Sequence, residues 1–72
     1  MYVEIEDFKT GWYGITVGLS KAEINKLIER LEFLRDNNDQ HFHIRSNYEG
    51  IGGVGDIEIY FQKNAIDNMI LE

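Results

Sequence analysis

The apolar positions between residues 20 and 38 follow the period of an α-helix. Five of them recur at steps of three and four and form one stripe: Ile24, Leu27, Ile28, Leu31 and Leu34. Ser20 and Glu23 have the spacing of a capping box, which marks a helix start. Asn37 and Asn38 tolerate the left-handed backbone that often ends a helix. This stretch therefore predicts one long amphipathic helix.

Four other segments alternate between apolar and polar residues, which is typical of half-buried strands. They cover residues 2–8, 12–17, 41–46 and 56–62. A short turn separates the first two segments, and a glycine-rich connection joins the last two. Each pair therefore predicts a β-hairpin. The positions expected to face inward are Val3, Ile5, Tyr13, Ile15, Val17, Phe42, Ile44, Ile57, Ile59 and Phe61.

The order of these elements predicts a single α+β domain over residues 1–72. Its architecture is ββαββ(α), a four-stranded antiparallel sheet with the long helix packed on one face. The tail, residues 63–72, fits two structures. Asn64 can cap a short helix, which is the preferred interpretation, and the last residues also suit an edge strand.

The length of the chain limits how much core it can build. A chain of 72 residues buries only about 60% of its unfolded surface, and its core supplies roughly 3–5 kcal/mol. It contains no cysteine, so neither a disulfide nor a cysteine-based zinc site can add to that. A homodimer or a constitutive partner is therefore expected.

The charge balance is acidic, with 7 basic and 13 acidic residues and a formal net charge of −6. This disfavours nucleic acids and anionic membranes as partners and favours cationic proteins. The first residues include early acids and lack the apolar segment of a signal peptide. No apolar run approaches the length of a membrane span. The expected location is the cytoplasm.

Catalytic and cofactor motifs are not supported by their context. Gly50, Gly52 and Gly55 match the letters G-x-G-x-x-G, but a dinucleotide site needs a helix after the glycines and here a strand follows. They fit a hairpin loop with positive φ angles. Ser20 and Ser46 are the only serines and neither belongs to a Ser/His/Asp set. We expect neither enzymatic activity nor a cofactor.

Two histidines form the most informative polar pair. His41 and His43 are two residues apart, so on a strand both imidazoles share a face and can reach one metal ion. Glu58 or Asp56 would supply a third ligand if the last two strands are neighbours. The preferred interpretation is that the histidines pair with acids across the strands, so these residues are candidates and no metal ligand is assigned.

The outer face of the predicted sheet carries aromatic and charged residues. Aromatic side chains and arginine anchor many protein interfaces, so this face is a candidate partner-binding surface, for another protein or for a second copy. The alternative is that the tail covers it. The candidate residues are Tyr2, Phe8, Trp12, His41, His43, Arg45, Glu58 and Tyr60.

Three segments in a fixed order, GLSKAEINKLIERLEFL, HFHI and GDIEIYF, resemble very small bacterial immunity proteins of polymorphic toxin systems. The resemblance spans roughly Gly18 to Phe61, and the glycine loop of this chain is longer than in those proteins. It implies a cytoplasmic, non-enzymatic protein that binds and blocks a cognate toxin. It assigns no individual residue a role.

Three hypotheses follow. The first is a small acidic protein-binding module, such as an immunity protein that neutralises a toxin. The second is a protein that binds a metal or small ligand through His41, His43 and Glu58. The third is a structural homodimer.

Overall fold

The computed structural model describes residues 1–64 and 66–72, and this part of the chain contains one helix and four strands. The α+β class predicted from the sequence is confirmed. The elements are β1 (Tyr2–Asp7), β2 (Tyr13–Gly18), α1 (Lys21–Asp36), β3 (His41–Arg45) and β4 (Asp56–Tyr60).

Both predicted hairpins form. In the first hairpin, β1 runs antiparallel to β2, and the amide of Phe8 donates to the carbonyl of Trp12 at 3.1 Å. Lys9 and Gly11 adopt positive φ angles of 58° and 93° in its turn. In the second hairpin, β3 runs antiparallel to β4. Its connection is the glycine-rich loop, where Gly50 has a φ of 89°, as the hairpin-loop interpretation requires.

The predicted four-stranded sheet is not confirmed. β1 pairs with β2 and β3 pairs with β4, so the described residues form two separate two-stranded sheets. Val3 lines one wall of a cavity of about 400 Å³ whose other lining residues include Ile44 and Ile57 of the second hairpin. Alternation in a sequence fixes which face a side chain occupies, but it does not specify which strands become neighbours.

The helix begins as the sequence predicts. Ser20 Oγ accepts from the amide of Glu23 at 3.2 Å, and Glu23 Oε1 accepts from the amide of Ser20 at 3.0 Å. Its end differs in detail, because Asn37 has a φ of −135° rather than a left-handed backbone. The Asn37 side chain instead donates to the carbonyl of Phe33 at 2.9 Å, which satisfies an acceptor that the last helical turn leaves free.

The core is small. Leu34, only 5% exposed, is the one buried apolar side chain among the described residues. On the second hairpin the inward positions, such as Phe42 and Ile59, are half-buried. The helix stripe and the first hairpin are less well covered. The predicted packing of the long helix on one face of a four-stranded sheet is therefore not confirmed.

The predicted tail helix is not confirmed. Residues 61–64 and 66–72 lie outside helices and strands, and the part of the prediction that falls on Ala65 lies outside the described residues. The Gln62 side chain donates to the carbonyl of Ile66 at 2.7 Å, which gives the tail a local bend. In the described ranges, no helix is both long enough and apolar enough to cross a bilayer.

Candidate functional site

One face of the first hairpin carries large aromatic side chains beside acidic ones, and we call it the aromatic face. Tyr2, Phe8 and Trp12 are 50–76% exposed, and Glu4 and Glu6 lie among them with exposed side chains. Aromatic residues supply much of the contact energy at protein interfaces. This face therefore has the composition of a binding surface.

The tip of the Phe8 ring lies close to the β2 backbone at Gly14, a residue that has no side chain. A β-carbon built on Gly14 would lie 2.7 Å from the Phe8 Cζ atom, well inside van der Waals contact. Glycine at position 14 therefore allows the aromatic ring to approach the β2 backbone.

A second feature is a group of aliphatic side chains that the sequence pattern assigns to the core but that are 43–59% exposed. We call this group the uncovered apolar residues. The C-terminal tail does not cover them, because its own Met69, Ile70 and Leu71 are 82–100% exposed. The uncovered apolar residues are Ile5, Ile15, Val17, Ile24, Ile28 and Leu31.

The whole molecule exposes more surface than its size requires. Its accessible surface is 6819 Å², whereas a folded monomer of 8.4 kDa is expected to expose about 4,600 Å². Its radius of gyration is 14.1 Å, against about 11 Å for a compact domain of this length. The excess of about 2,200 Å² per chain is in the range that a stable interface buries.

The second hairpin has a polar outer face, which we call the histidine face. The strand register pairs His41 with Tyr60, His43 with Glu58, and Arg45 with Asp56. Successive side chains of a strand point to opposite faces, so these six residues share one face of the hairpin. The residues between them are apolar and half-buried and lie on the other face. Because β3 and β4 are neighbours, Glu58 lies directly opposite His43, with His41 two residues along the same strand.

His43 lies between two carboxylates on this face. Its Nδ1 atom is 3.0 Å from both carboxylate oxygens of Asp56, and its Nε2 atom is 3.4 Å from Glu58 Oε1. Arg45 Nε is 3.4 Å from Asp56 Oδ1. Cross-strand pairing of histidine with acids, the alternative raised by the sequence, is thus present in the structure for His43.

The predicted partner-binding residues fall into two groups. Tyr2, Phe8 and Trp12 lie on the first hairpin, while His41, His43, Arg45, Glu58 and Tyr60 lie on the second. Because the hairpins belong to different sheets, the expectation of one continuous sheet face is not confirmed.

A groove between the helix and the second hairpin was not anticipated from the sequence. It has a volume of about 510 Å³ and is lined by residues that include Leu27, Arg30 and Phe42. The only signal for it was the pair of basic residues, Lys26 and Arg30, four positions apart on the helix. Nothing in the sequence alone placed that pair opposite β3.

The side-chain carboxyl group of Glu23, in the first turn of the helix, has a strongly lowered pKa. The α-amino group of Met1 donates to Glu23 Oε2 at 2.6 Å, and the amide and hydroxyl of Ser20 add further hydrogen bonds. These contacts, with the α-amino group contributing most, lower the pKa of Glu23 from 4.5 to about 2. They tie the residue that precedes β1 to the first turn of the helix.

Comparisons of the chain with protein families, with curated proteins and with solved structures found no match. The functional argument therefore rests on the residues and surfaces described above.

Proposed function

We propose that this protein is a small acidic binding module whose apolar surface is completed by a cationic partner protein. The specific form that we propose is a cytoplasmic immunity protein that binds and neutralises a cognate toxin. No part of this proposal requires the chain to catalyse a reaction.

The excess of exposed surface carries the proposal. A domain whose described residues include one buried apolar side chain has little hydrophobic free energy to set against the entropy of folding. Burial of the uncovered apolar residues against a partner would supply the missing hydrophobic free energy. An interface that used the whole excess of about 2,200 Å² on this chain would belong to the large, obligate class.

Charge favours a cationic partner over a second copy of the chain. In a homodimer, two chains that each carry a net charge of −6 would repel each other. A basic protein would instead be attracted to this chain at long range. On the aromatic face, Glu4 and Glu6 provide carboxylates beside Trp12. Lysine or arginine side chains of a partner would find both ion-pair acceptors and aromatic rings there.

The resemblance to immunity proteins supports the same interpretation. An immunity protein acts by covering its toxin, so it needs an extensive complementary surface and no reactive groups. The aromatic face and the uncovered apolar residues provide such a surface. The acidic charge would speed encounter with a basic toxin, an effect that weakens as salt rises.

The test is an affinity measurement on the basic protein that co-purifies with the chain at low salt. We expect a one-to-one complex whose dissociation constant rises with salt. Trp12→Ala should weaken binding by about 30-fold, the loss of an interface anchor worth about 2 kcal/mol. Tyr48→Ala is the matched control, because Tyr48 is as exposed as the aromatic-face residues but lies in the loop between β3 and β4.

Two results would contradict the proposal. One is equal affinity for wild type and Trp12→Ala, which would remove the aromatic face from the interface. The other is a stable homodimer that hides the uncovered apolar residues, which would favour the structural homodimer instead.

A further inference from the structure

We propose that His41, His43 and Glu58 form a binding site for a divalent transition-metal ion of the zinc class. The site lies on the histidine face of the second hairpin and does not depend on the partner proposed for the first.

The first argument is convergence of donor atoms. One ligand atom from each of the three side chains lies within 4.8 Å of the other two. The strand register explains this, since His43 lies directly opposite Glu58 and His41 is two residues along the same strand. The two imidazole rings meet edge to face with centroids 5.0 Å apart, so they are not stacked on each other.

The second argument is the separation of His43 and Glu58. Zinc binds imidazole nitrogen and carboxylate oxygen at about 2.0–2.2 Å in tetrahedral geometry, which separates neighbouring ligand atoms by about 3.4 Å. The distance from His43 Nε2 to Glu58 Oε1 is 3.4 Å. His41 is exposed, and its ligand atom lies within 4.8 Å of those of His43 and Glu58.

The third argument is the contact that the ligand His43 makes with a carboxylate outside the metal site. Histidine ligands of metals commonly donate their second ring N–H to a carboxylate, which fixes the tautomer and the ring orientation. Asp56 is in that position, with its carboxylate 3.0 Å from His43 Nδ1. Arg45 Nε forms an ion pair with the same carboxylate, 3.4 Å from Oδ1. Asp56 is therefore a positioning residue, and Glu58 is the third ligand.

The donor set selects the type of metal. Two imidazoles and one carboxylate suit zinc and its neighbours, whereas Mg²⁺ and Ca²⁺ prefer oxygen ligands alone. Three protein ligands leave a fourth position, as in open zinc sites. Glu58 is 51% exposed at its side chain, so this position is accessible to water or to a small ligand.

The experiment is a calorimetric titration of metal-stripped protein with ZnCl₂ at neutral pH, repeated with CoCl₂ while visible absorption is recorded. We expect one ion per chain and the intense visible absorption of four-coordinate cobalt. His43→Ala and Glu58→Gln should abolish both signals. Asp56→Asn should weaken binding by about 10- to 100-fold, the usual effect of removing an outer carboxylate.

Glu29→Gln is the matched control, because it removes an exposed carboxylate from the helix, away from both proposed binding surfaces, and should leave zinc binding unchanged. Circular dichroism of each variant without metal shows whether the hairpin still folds. If wild-type protein binds neither ion, the proposal is wrong. Binding that survives both His43→Ala and Glu58→Gln would overturn it equally.

Discussion

The two hairpins have the same antiparallel topology, but the side chains on their faces differ in type and in exposure. The first has aliphatic residues about half exposed on one face and aromatic residues with acids on the other. The second has half-buried aliphatic residues on one face and histidines opposite carboxylates on the other. The difference shows that strand pairing alone does not define a surface. The first hairpin leaves apolar side chains exposed, whereas the second places His43 within 3.0–3.4 Å of two carboxylates.

The largest expected effect comes from Leu34, the one buried apolar side chain among the described residues. Leu34→Ala removes the buried side chain of the helix that connects the two hairpins and should cost about 2–5 kcal/mol. This equals the stability that so small a core supplies, so we expect the isolated chain to unfold. Thermal denaturation followed by circular dichroism measures it. Leu31→Ala, at a position 43% exposed, is the control and should leave the chain folded.

A pair of equal truncations compares the hairpins directly. Ile59→Ala, at a half-buried position of β4, should cost about 1–2 kcal/mol and lower Tm by several degrees. Ile15→Ala removes the same atoms from a position 59% exposed in β2 and should cost less. Urea denaturation of the isolated chain gives both values. Equal losses would show that the first hairpin is as well covered as the second.

Acid should act on the junction of the first hairpin with the helix. Because the pKa of Glu23 is lowered from 4.5 to about 2, its ionised form contributes stability above pH 4.5. That contribution is lost as the pH falls toward 2. Glu23→Gln removes this dependence and should speed amide exchange at the start of α1 more than in β3. Glu29→Gln, on the exposed side of the same helix, should leave the acid response intact.

The smallest effect concerns the position of one aromatic ring. Gly14→Ala should displace the Phe8 ring, since the new β-carbon would lie 2.7 Å from its Cζ atom. The ring is half exposed and can move, so Tm should change little. The loss of ring-current shifts on β2 protons, measured by NMR, would report the displacement. Unchanged chemical shifts would mean that the ring does not lie over Gly14.

Local structure followed from the sequence because local rules determine it. The capping box at Ser20 and Glu23, the helix period and the strand alternation each depend on residues close together in the chain. These predictions of local structure are confirmed. For the histidines, the sequence left Glu58 and Asp56 as alternative neighbours, and the structure places both carboxylates beside His43.

The arrangement of the hairpins did not follow from the sequence. Whether β1 joins the second hairpin in one sheet depends on non-local edge pairing, which residue alternation does not encode. The exposure of Ile15 and Ile28 was missed for a related reason. A pattern marks a residue as apolar, but it does not say whether this chain or another one covers it. The role of Asp56 beside His43 emerged only from the distances.

The most direct test of the central claim is native mass spectrometry of the chain purified from its source at low salt and again at moderate salt. We predict one copy of this chain bound to one copy of a basic protein at low salt, with the complex dissociating as salt rises. A homodimer without a basic partner at both salt concentrations would contradict the claim that a cationic protein buries the uncovered apolar residues.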